Sequence, residues 1–344
     1  MEKKIALKDV ARHVGVSAAL VSYVLNGKEK EARVSPEMSS KIRKAAAELN
    51  YQPNVIAKSL KIGKTNTIGL IVADISNPFF SSIARIIEDE AKKHGYIVIF
   101  GSSDESADKQ QDLIDVMLNR LVDAFIIAPS AGTEKQIKEL KKRNVPVILI
   151  DRYFPGMEAD CVHINNFQAA NKAVQHLIKN KRSKIAMLAY DSQLPHMQER
   201  KEGYKAALKE NALRFKNSWL LEASYQNIEQ DVAKKMSALL QPLQVDAFFF
   251  ATNSLAVAGL KKINECGIKV PEELAIISFD ESDAFDFFYS PVTYVSQSVA
   301  DIGKEAVKLV VSRLHNKTAK AANVIVEAKL IVRESCGSKT KKKK

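Results

Sequence analysis

The chain has 344 residues, 46% of them hydrophobic, with 52 Lys and Arg against 40 Asp and Glu for a formal net charge of +12. That length suits two or three domains and that apolar content buries a core, which excludes intrinsic disorder for most of the chain. No apolar run approaches the roughly 20 residues that cross a bilayer, and the lysines of MEKKIALKDV have no hydrophobic stretch behind them, so the expectation is a soluble, cytoplasmic protein. Cys161, Cys266 and Cys336 are too few and too far apart for a disulfide framework or a four-ligand zinc site.

Charge is unevenly spread. Residues 1–64 carry 13 Lys and Arg against 6 Asp and Glu, the last six residues hold five lysines, and the long body between them is neutral. A basic head on a neutral body points to a polyanion as the partner of the head. In the head, LKDVARHV places Leu7, Val10, Ala11 and Val14 at helical spacing, and Gly15 follows as a turn residue. Ser17 is an N-cap for AALVSYVLN, which Asn26-Gly27 ends. After the charged loop KEKEAR, Ser35-Pro36-Glu37 opens a third helix through Ile42, Ala45, Ala46 and Leu49 that stops near Pro53. Two helices that cross steeply need a small residue at the contact (Ala11), a turn residue free to take positive φ (Gly15) and apolar wedges (Val10, Val16, Val21, Val24). Residues 7–26 therefore read as a helix-turn-helix.

NVIAKSLKIGK, from Asn54, has helical spacing but is too short to be stable alone, and reads as a linker that folds conditionally. From Thr67 the pattern changes to continuous apolar runs: IGLIVAD, YIVIFG, AFIIAP, VILID, KIAMLAY, AFFFAT and LAIISFD. Such runs fit strands buried on both faces of parallel sheets, and the pieces between them have helical periodicity. The fold class expected is α/β: an all-α head, then a doubly wound parallel-sheet body. An irregular stretch around CVHINNF favours two lobes over one sheet.

Enzyme motifs are absent from the body. No two of the 13 glycines lie closer than six positions apart, which excludes the dinucleotide fingerprint, the phosphate loop and the nucleophile elbow. The six histidines show no metal spacing and read as surface or satisfied structural residues. Asp74, Asp151 and Asp280 end strands, where open α/β sheets bind ligands. No cofactor, no metal and no catalytic residue is expected.

The motifs LKDVARHVGVS and VSYVLN, LNYQPNVIAKSL, TIGLIVADISNPFF, LIDR, ERKEGY, ISFD and the Gln297 region occur in an order that resembles the lactose-repressor (LacI/GalR) family of bacterial transcription regulators, over about residues 5–335. The resemblance implies a helix-turn-helix DNA-binding domain (1–53) and a hinge helix and linker (54–64). It also implies an effector-binding and dimerisation domain (65–337) with two lobes like periplasmic sugar-binding proteins, and residues 338–344 are left as a basic tail. Lobe one takes about 65–164 with 294–322, and lobe two about 165–293 with 323–337. Partners so implied are double-stranded operator DNA, a small-molecule effector (sugar, sugar phosphate or nucleobase-like) and a second copy in a homodimer, with a tetramer left open.

Position by position, the resemblance puts Ala18, Ala19 and Tyr23 in base-reading places and Lys8, Ser17, Ser22 and Asn26 against backbone or base edges. Leu60 matches a leucine wedged into the minor groove, with Asn54, Lys58 and Lys61 beside it. In the body, Asp74, Phe79, Phe80, Asp151, Arg152, Arg200, Tyr225, Asn253 and Asp280 are the expected effector contacts. Aromatic rings there stack on a sugar or base, and charged groups chelate hydroxyls. The chain departs from the family in the longer loop Lys28–Arg33 and in Asn253-Ser254, where Asn-Asp is common.

Overall fold

A computed structural model describes residues 5–52, 64–316 and 320–338. The chain divides into two units, Met1–Thr65 and Asn66–Lys344.

In the first unit, α1 (Leu7–Val14), α2 (Ala18–Leu25) and α3 (Pro36–Glu48) are short helices whose ends are set by local chemistry. Gly15 closes α1 at φ +79°, a conformation that favours glycine. The Ser17 and Ser35 hydroxyls accept from the Leu20 and Met38 amides, each at 3.2 Å, and Pro36 takes the first helical position. Val10, Ala11, Val14, Val21, Val24, Ile42, Ala45 and Ala46 pack into one buried cluster. The expected hinge residues Asn54, Lys58, Leu60 and Lys61 lie outside the described residues.

The second unit holds two six-stranded sheets. One contains β1 (Thr67–Val72), β2 (Ile97–Ser102), β3 (Ala124–Ile127), β4 (Val147–Ile150) and β5 (Asp160–Ile164), in the order β11-β5-β4-β3-β1-β2, where β11 is Asn323–Val326. The other contains β6 (Ile185–Tyr190), β7 (Leu220–Ala223), β8 (Ala247–Phe250), β9 (Ala275–Phe279) and β10 (Thr293–Gln297), in the order β12-β10-β9-β8-β6-β7, where β12 is Ala328–Ile331. All neighbours pair in parallel except β10 with β12. The central strands β3, β4, β8 and β9 are buried along their whole length, as their unbroken apolar runs require.

The expected α/β class with two lobes is the one observed, but the lobe membership of two segments and the irregularity of a third need correction. CVHINNF is not irregular: it holds most of β5, whose polar His163 broke the apolar pattern while its ring bonds the Ile164 carbonyl and Asn323 Oδ1 at 2.8 Å each. Strand β10, expected mostly in lobe one, extends the second sheet beside β9, whereas β11, expected in lobe two, pairs with β5 in the first. The expected 294 and 323 borders thus each fall four residues too early. The chain returns to lobe one after Gln297, where the Val299–His315 helix packs on the Pro78–Lys93 helix, and leaves again only after Val326. Apolar periodicity marks strands but carries no signal of which sheet they join.

Candidate functional site

In the first unit, Lys8, Ser17, Ala18, Ala19, Tyr23 and Asn26 are exposed and Ser22 is half-buried. Six of these seven stand on or beside α2, because Val21 and Val24 anchor the opposite face in the core. Tyr23 is 43% exposed, a large ring left on a surface with no apolar cluster to join. Asn26 turns back on its own helix, donating Nδ2 to the Ser22 carbonyl at 2.7 Å. In the loop after α2, Lys28 pairs with Glu31 at 3.4 Å and Glu29 with Arg43 at 2.5 Å. Both loop carboxylates are therefore paired within the unit, and the exposed polar groups of α2 form a face open to a large partner.

In the second unit, the strand ends of both lobes converge on a cleft of about 420 Å³, its solvent-open mouth included. Its lining contains eight of the nine expected effector contacts: Asp74, Phe79, Phe80, Asp151, Arg152, Arg200, Tyr225 and Asp280. Asp151 follows β4 at φ +64° and Asp280 follows β9 at φ +66°, two buried aspartates held in the left-handed region at matching places of the two lobes. Strain of this kind concentrates at binding sites. Phe79 and Phe80 open the Pro78–Lys93 helix with rings 5.0 Å apart, edge to face.

Each lobe contributes one buried guanidinium. Arg152 makes two 2.6 Å bonds to Glu105 and a 3.3 Å bond to the Pro129 carbonyl. Burial works against its charge, but Glu105 and Asp151 more than offset that and hold it protonated. Arg200, 2% exposed, lies 3.6 Å from the centre of the Phe279 ring, donates to Asn166 Oδ1 and the Ala251 carbonyl at 2.8 Å each, and meets Asp280 only at 3.9 Å. Burial pulls its affinity for the proton down, against the support of Asp280 and Asp151. Asp280 is pushed up to about 6 by burial, although Arg200 and a 2.5 Å bond from Gln297 favour its charged form. Burial also raises Asp151.

Four buried polar atoms in this lining have no hydrogen-bond partner: Asp151 Oδ1, Arg152 Nε, His196 Nδ1 and Gln297 Oε1. Orphaned groups of this kind normally bond something. The mouth is bridged between lobes: Tyr225 Oη donates to Asp74 Oδ2 at 2.6 Å, and Asn253 Nδ2 donates to Asn77 Oδ1 at 3.1 Å. Burial and the Asp74 carboxylate together keep the Tyr225 phenol protonated.

Three placements differ from expectation. Asn253 does not line the cleft; its amide is spent on Asn77, the Glu281 carbonyl and the Ser254 amide, so it braces the mouth from behind. His196 is neither surface nor satisfied: it is 5% exposed, and burial between Arg152 and Arg200 keeps it neutral. Glu105, which neutralises Arg152, was not expected at all. It sits just past the end of β2, and only that position in chain order hinted at it. Asn77, Tyr190 and Thr252 also line the cleft unforeseen, while Gln297 stood only inside a motif.

No group of residues arranged to hold a metal occurs among the described residues, and no described helix is long and apolar enough to cross a membrane.

Comparison with known proteins places both units. Residues 6–54 match the profile described as bacterial regulatory proteins, lacI family, and residues 174–336 match the periplasmic binding protein-like domain. Catabolite control protein A of Priestia megaterium is 32% identical over 96% of this chain and 99% of its own length. The HTH-type transcriptional repressor PurR of Vibrio vulnificus is 30% identical over 96% and 98%. Among solved structures, the lac repressor dimer bound to operator and the anti-inducer ONPF superimposes with a TM-score of 0.84 at 21% identity, over 97% of this chain and 99% of that one, a likeness of fold. With a helix-turn-helix joined to a two-lobed body and relatives aligned end to end, this chain belongs to the lacI family of bacterial regulatory proteins.

Proposed function

We propose that the protein is a cytoplasmic, homodimeric, sequence-specific DNA-binding repressor, not an enzyme, whose operator affinity is set by a small neutral polyhydroxy compound bound between the lobes. The observation that carries this reading is the cleft lining, with four buried polar atoms unpartnered in a chain that also presents an exposed, serine-capped second helix. Exposed Ala18 and Ala19 offer apolar contact to thymine methyls, and Tyr23 offers a hydroxyl to a base edge.

The cleft chemistry narrows the effector. Four carboxylates (Asp74, Glu105, Asp151, Asp280) face two guanidinium groups, each of which already has a partner. A phosphate ester would have to displace Glu105 from Arg152 and lie among four carboxylates, so the sugar phosphate falls behind a neutral sugar or nucleoside. A donor and acceptor set of Asp, Arg, His and Gln beside aromatic rings suits a ring bearing several hydroxyls.

The names of the relatives and the operator-bound state of the lac repressor support the DNA-binding half of the reading. Dimerisation is supported by apolar side chains that no other described residue of one chain covers. Ile97 (70% exposed) and Phe100 (60%) stand on the edge strand β2 beside Val116 (51%), and Phe287 (88%) with Tyr289 (59%) on lobe two.

The test is to select duplex sequences from a random pool with the full-length protein, then titrate the selected site by fluorescence anisotropy with a panel of neutral sugars, sugar phosphates and nucleosides. Sequence-selective binding that falls steeply with salt and responds to a neutral polyol is expected. Selection of no preferred sequence would refute the DNA-reading role, and a response confined to phosphorylated compounds would refute the effector class.

A further inference from the structure

We infer that Glu105 is the charge filter of the cleft: it converts Arg152 from an anion receptor into a donor for a neutral ligand. The inference rests on the reading that the cleft binds the effector, and adds to it the residue that decides which charge is admitted. A guanidinium offers a planar fork that matches phosphate or carboxylate, and an unpaired one in a buried cleft would attract an anionic ligand. Here both terminal nitrogens of Arg152 are taken, Nη1 and Nη2 each at 2.6 Å from a separate oxygen of Glu105. The Pro129 carbonyl accepts from Nη1 as well, at 3.3 Å. Only Nε is left without a hydrogen bond, 3.4 Å from Asp151 Oδ2. N–H groups beside a carboxylate suit a hydroxyl, which both accepts and donates.

The backbone is shaped to deliver this carboxylate. Asp104 and Glu105 take φ of +49° and +58° in succession, so the chain reverses just past β2. The Glu105 amide is tied to the Ala73 carbonyl at 3.1 Å at the end of β1, and the Asp104 carboxylate is held by Ser102 Oγ at 2.5 Å and by Lys109. Two neighbouring non-glycine residues in the left-handed region are sparsely populated unless the surroundings hold them there, and here they aim Glu105 along the fork of Arg152. The Arg152 side chain also lies over the Phe80 ring at 5.7 Å, so the guanidinium has little freedom to swing to another partner. Arg200 has two of its three nitrogens committed, Nε to Asn166 Oδ1 and Nη1 to the Ala251 carbonyl, and an anion held there would survive the loss of Arg152.

Inorganic phosphate is the probe, titrated calorimetrically into the full-length protein at neutral pH in a phosphate-free buffer. The wild type is expected to show no phosphate binding that depends on Arg152. Glu105→Gln, which keeps the shape and removes the charge, is expected to gain a saturable site at least about tenfold tighter than any in the wild type. Adding Arg152→Gln to it should remove that site, which separates the cleft from the basic surfaces of the molecule. Should Glu105→Gln fail to fold by circular dichroism, Glu105→Ala frees the same guanidinium and serves in its place. The inference is overturned by wild-type phosphate binding that Arg152→Gln abolishes, by no gain in either folded Glu105 variant, or by a gain that survives the loss of Arg152. Its failure is distinct from failure of the effector reading. A cleft that shows the Glu105 switch yet is stabilised by no neutral sugar or nucleoside in thermal melts refutes the ligand class and leaves the filter standing.

Discussion

The two lobes repeat one plan with different electrostatics. Strands β2-β1-β3-β4-β5 match β7-β6-β8-β9-β10 place for place, and each fourth strand ends in a buried aspartate at positive φ, Asp151 and Asp280. Each lobe adds one buried arginine to the cleft. In lobe one, Arg152 is locked by two short bonds to a half-buried Glu105, and in lobe two Arg200 leans on neutral acceptors and meets its acid only at 3.9 Å. The same topology thus presents one arginine already neutralised and one held mainly by packing and carbonyl groups.

The sharpest way to break that contrast is to remove each arginine. Arg200→Ala empties a site 2% exposed, uncovers the Phe279 ring and strands Asp280, so a loss of about 3–5 kcal/mol is expected in urea unfolding, together with loss of the ligand response. Arg152→Ala should cost less, about 1–3 kcal/mol, because the Glu105 side chain, 19% exposed, can turn to water. Equal losses would mean that the two arginines are not differently held.

A second pair of variants compares the helix contacts. A Cβ on Gly203 would lie 2.4 Å from the backbone carbonyl of Phe167, whereas one on Gly303 would meet the Ile86 side chain at 2.5 Å. A backbone oxygen inside a helix has nowhere to go, but a side chain can change rotamer. Gly203→Ala is expected to lower stability by about 2–4 kcal/mol and Gly303→Ala by about 1–2, read as melting temperatures of the isolated variants. A larger loss at Gly303 would show lobe one to be the more rigid.

Acid titration separates the two aspartates from the rest. Asp280 binds its proton more tightly folded than unfolded, so the native state takes up that proton first as pH falls. Stability from this group is therefore full below about pH 4 and is lost as pH rises towards about 6, by about 1–3 kcal/mol. Asp280→Asn should lack this segment of the stability profile, and a difference curve between it and the wild type that is flat from pH 4 to 6 would refute the assignment.

The smallest expected effect is at the mouth. Tyr225→Phe removes the single 2.6 Å bond to Asp74 between the lobes and should cost about 0.5–1.5 kcal/mol, with the ligand-free cleft opening more readily in small-angle scattering. No change in either measurement would mean that Asn77 and Asn253 alone hold the mouth.

Much of this was legible from residue order, because it depends on neighbours in the chain. The helix-turn-helix follows from Ala11, Gly15 and Ser17 within one short stretch, and the strand-ending aspartates follow from apolar runs that stop at Asp74, Asp151 and Asp280. Glu105 and His196 were not legible, since their meaning comes from Arg152, 47 positions after the one and 44 before the other. A polar residue next to a strand looks the same whether it faces water or a guanidinium.

What the amino-acid order determined by itself is therefore the set of elements, the basic head and neutral body, and the family. Caps, turns and hydrophobic periods act over a few residues and cost little to satisfy locally. Only the tertiary structure decided that β10 and β11 exchange lobes, that Asn253 braces the mouth from behind, and that one arginine of the cleft is neutralised while the other is held mainly by packing and carbonyl groups. Those outcomes depend on which distant groups are buried side by side, where the low dielectric makes a charge or a missing partner costly, and no local pattern carries that information.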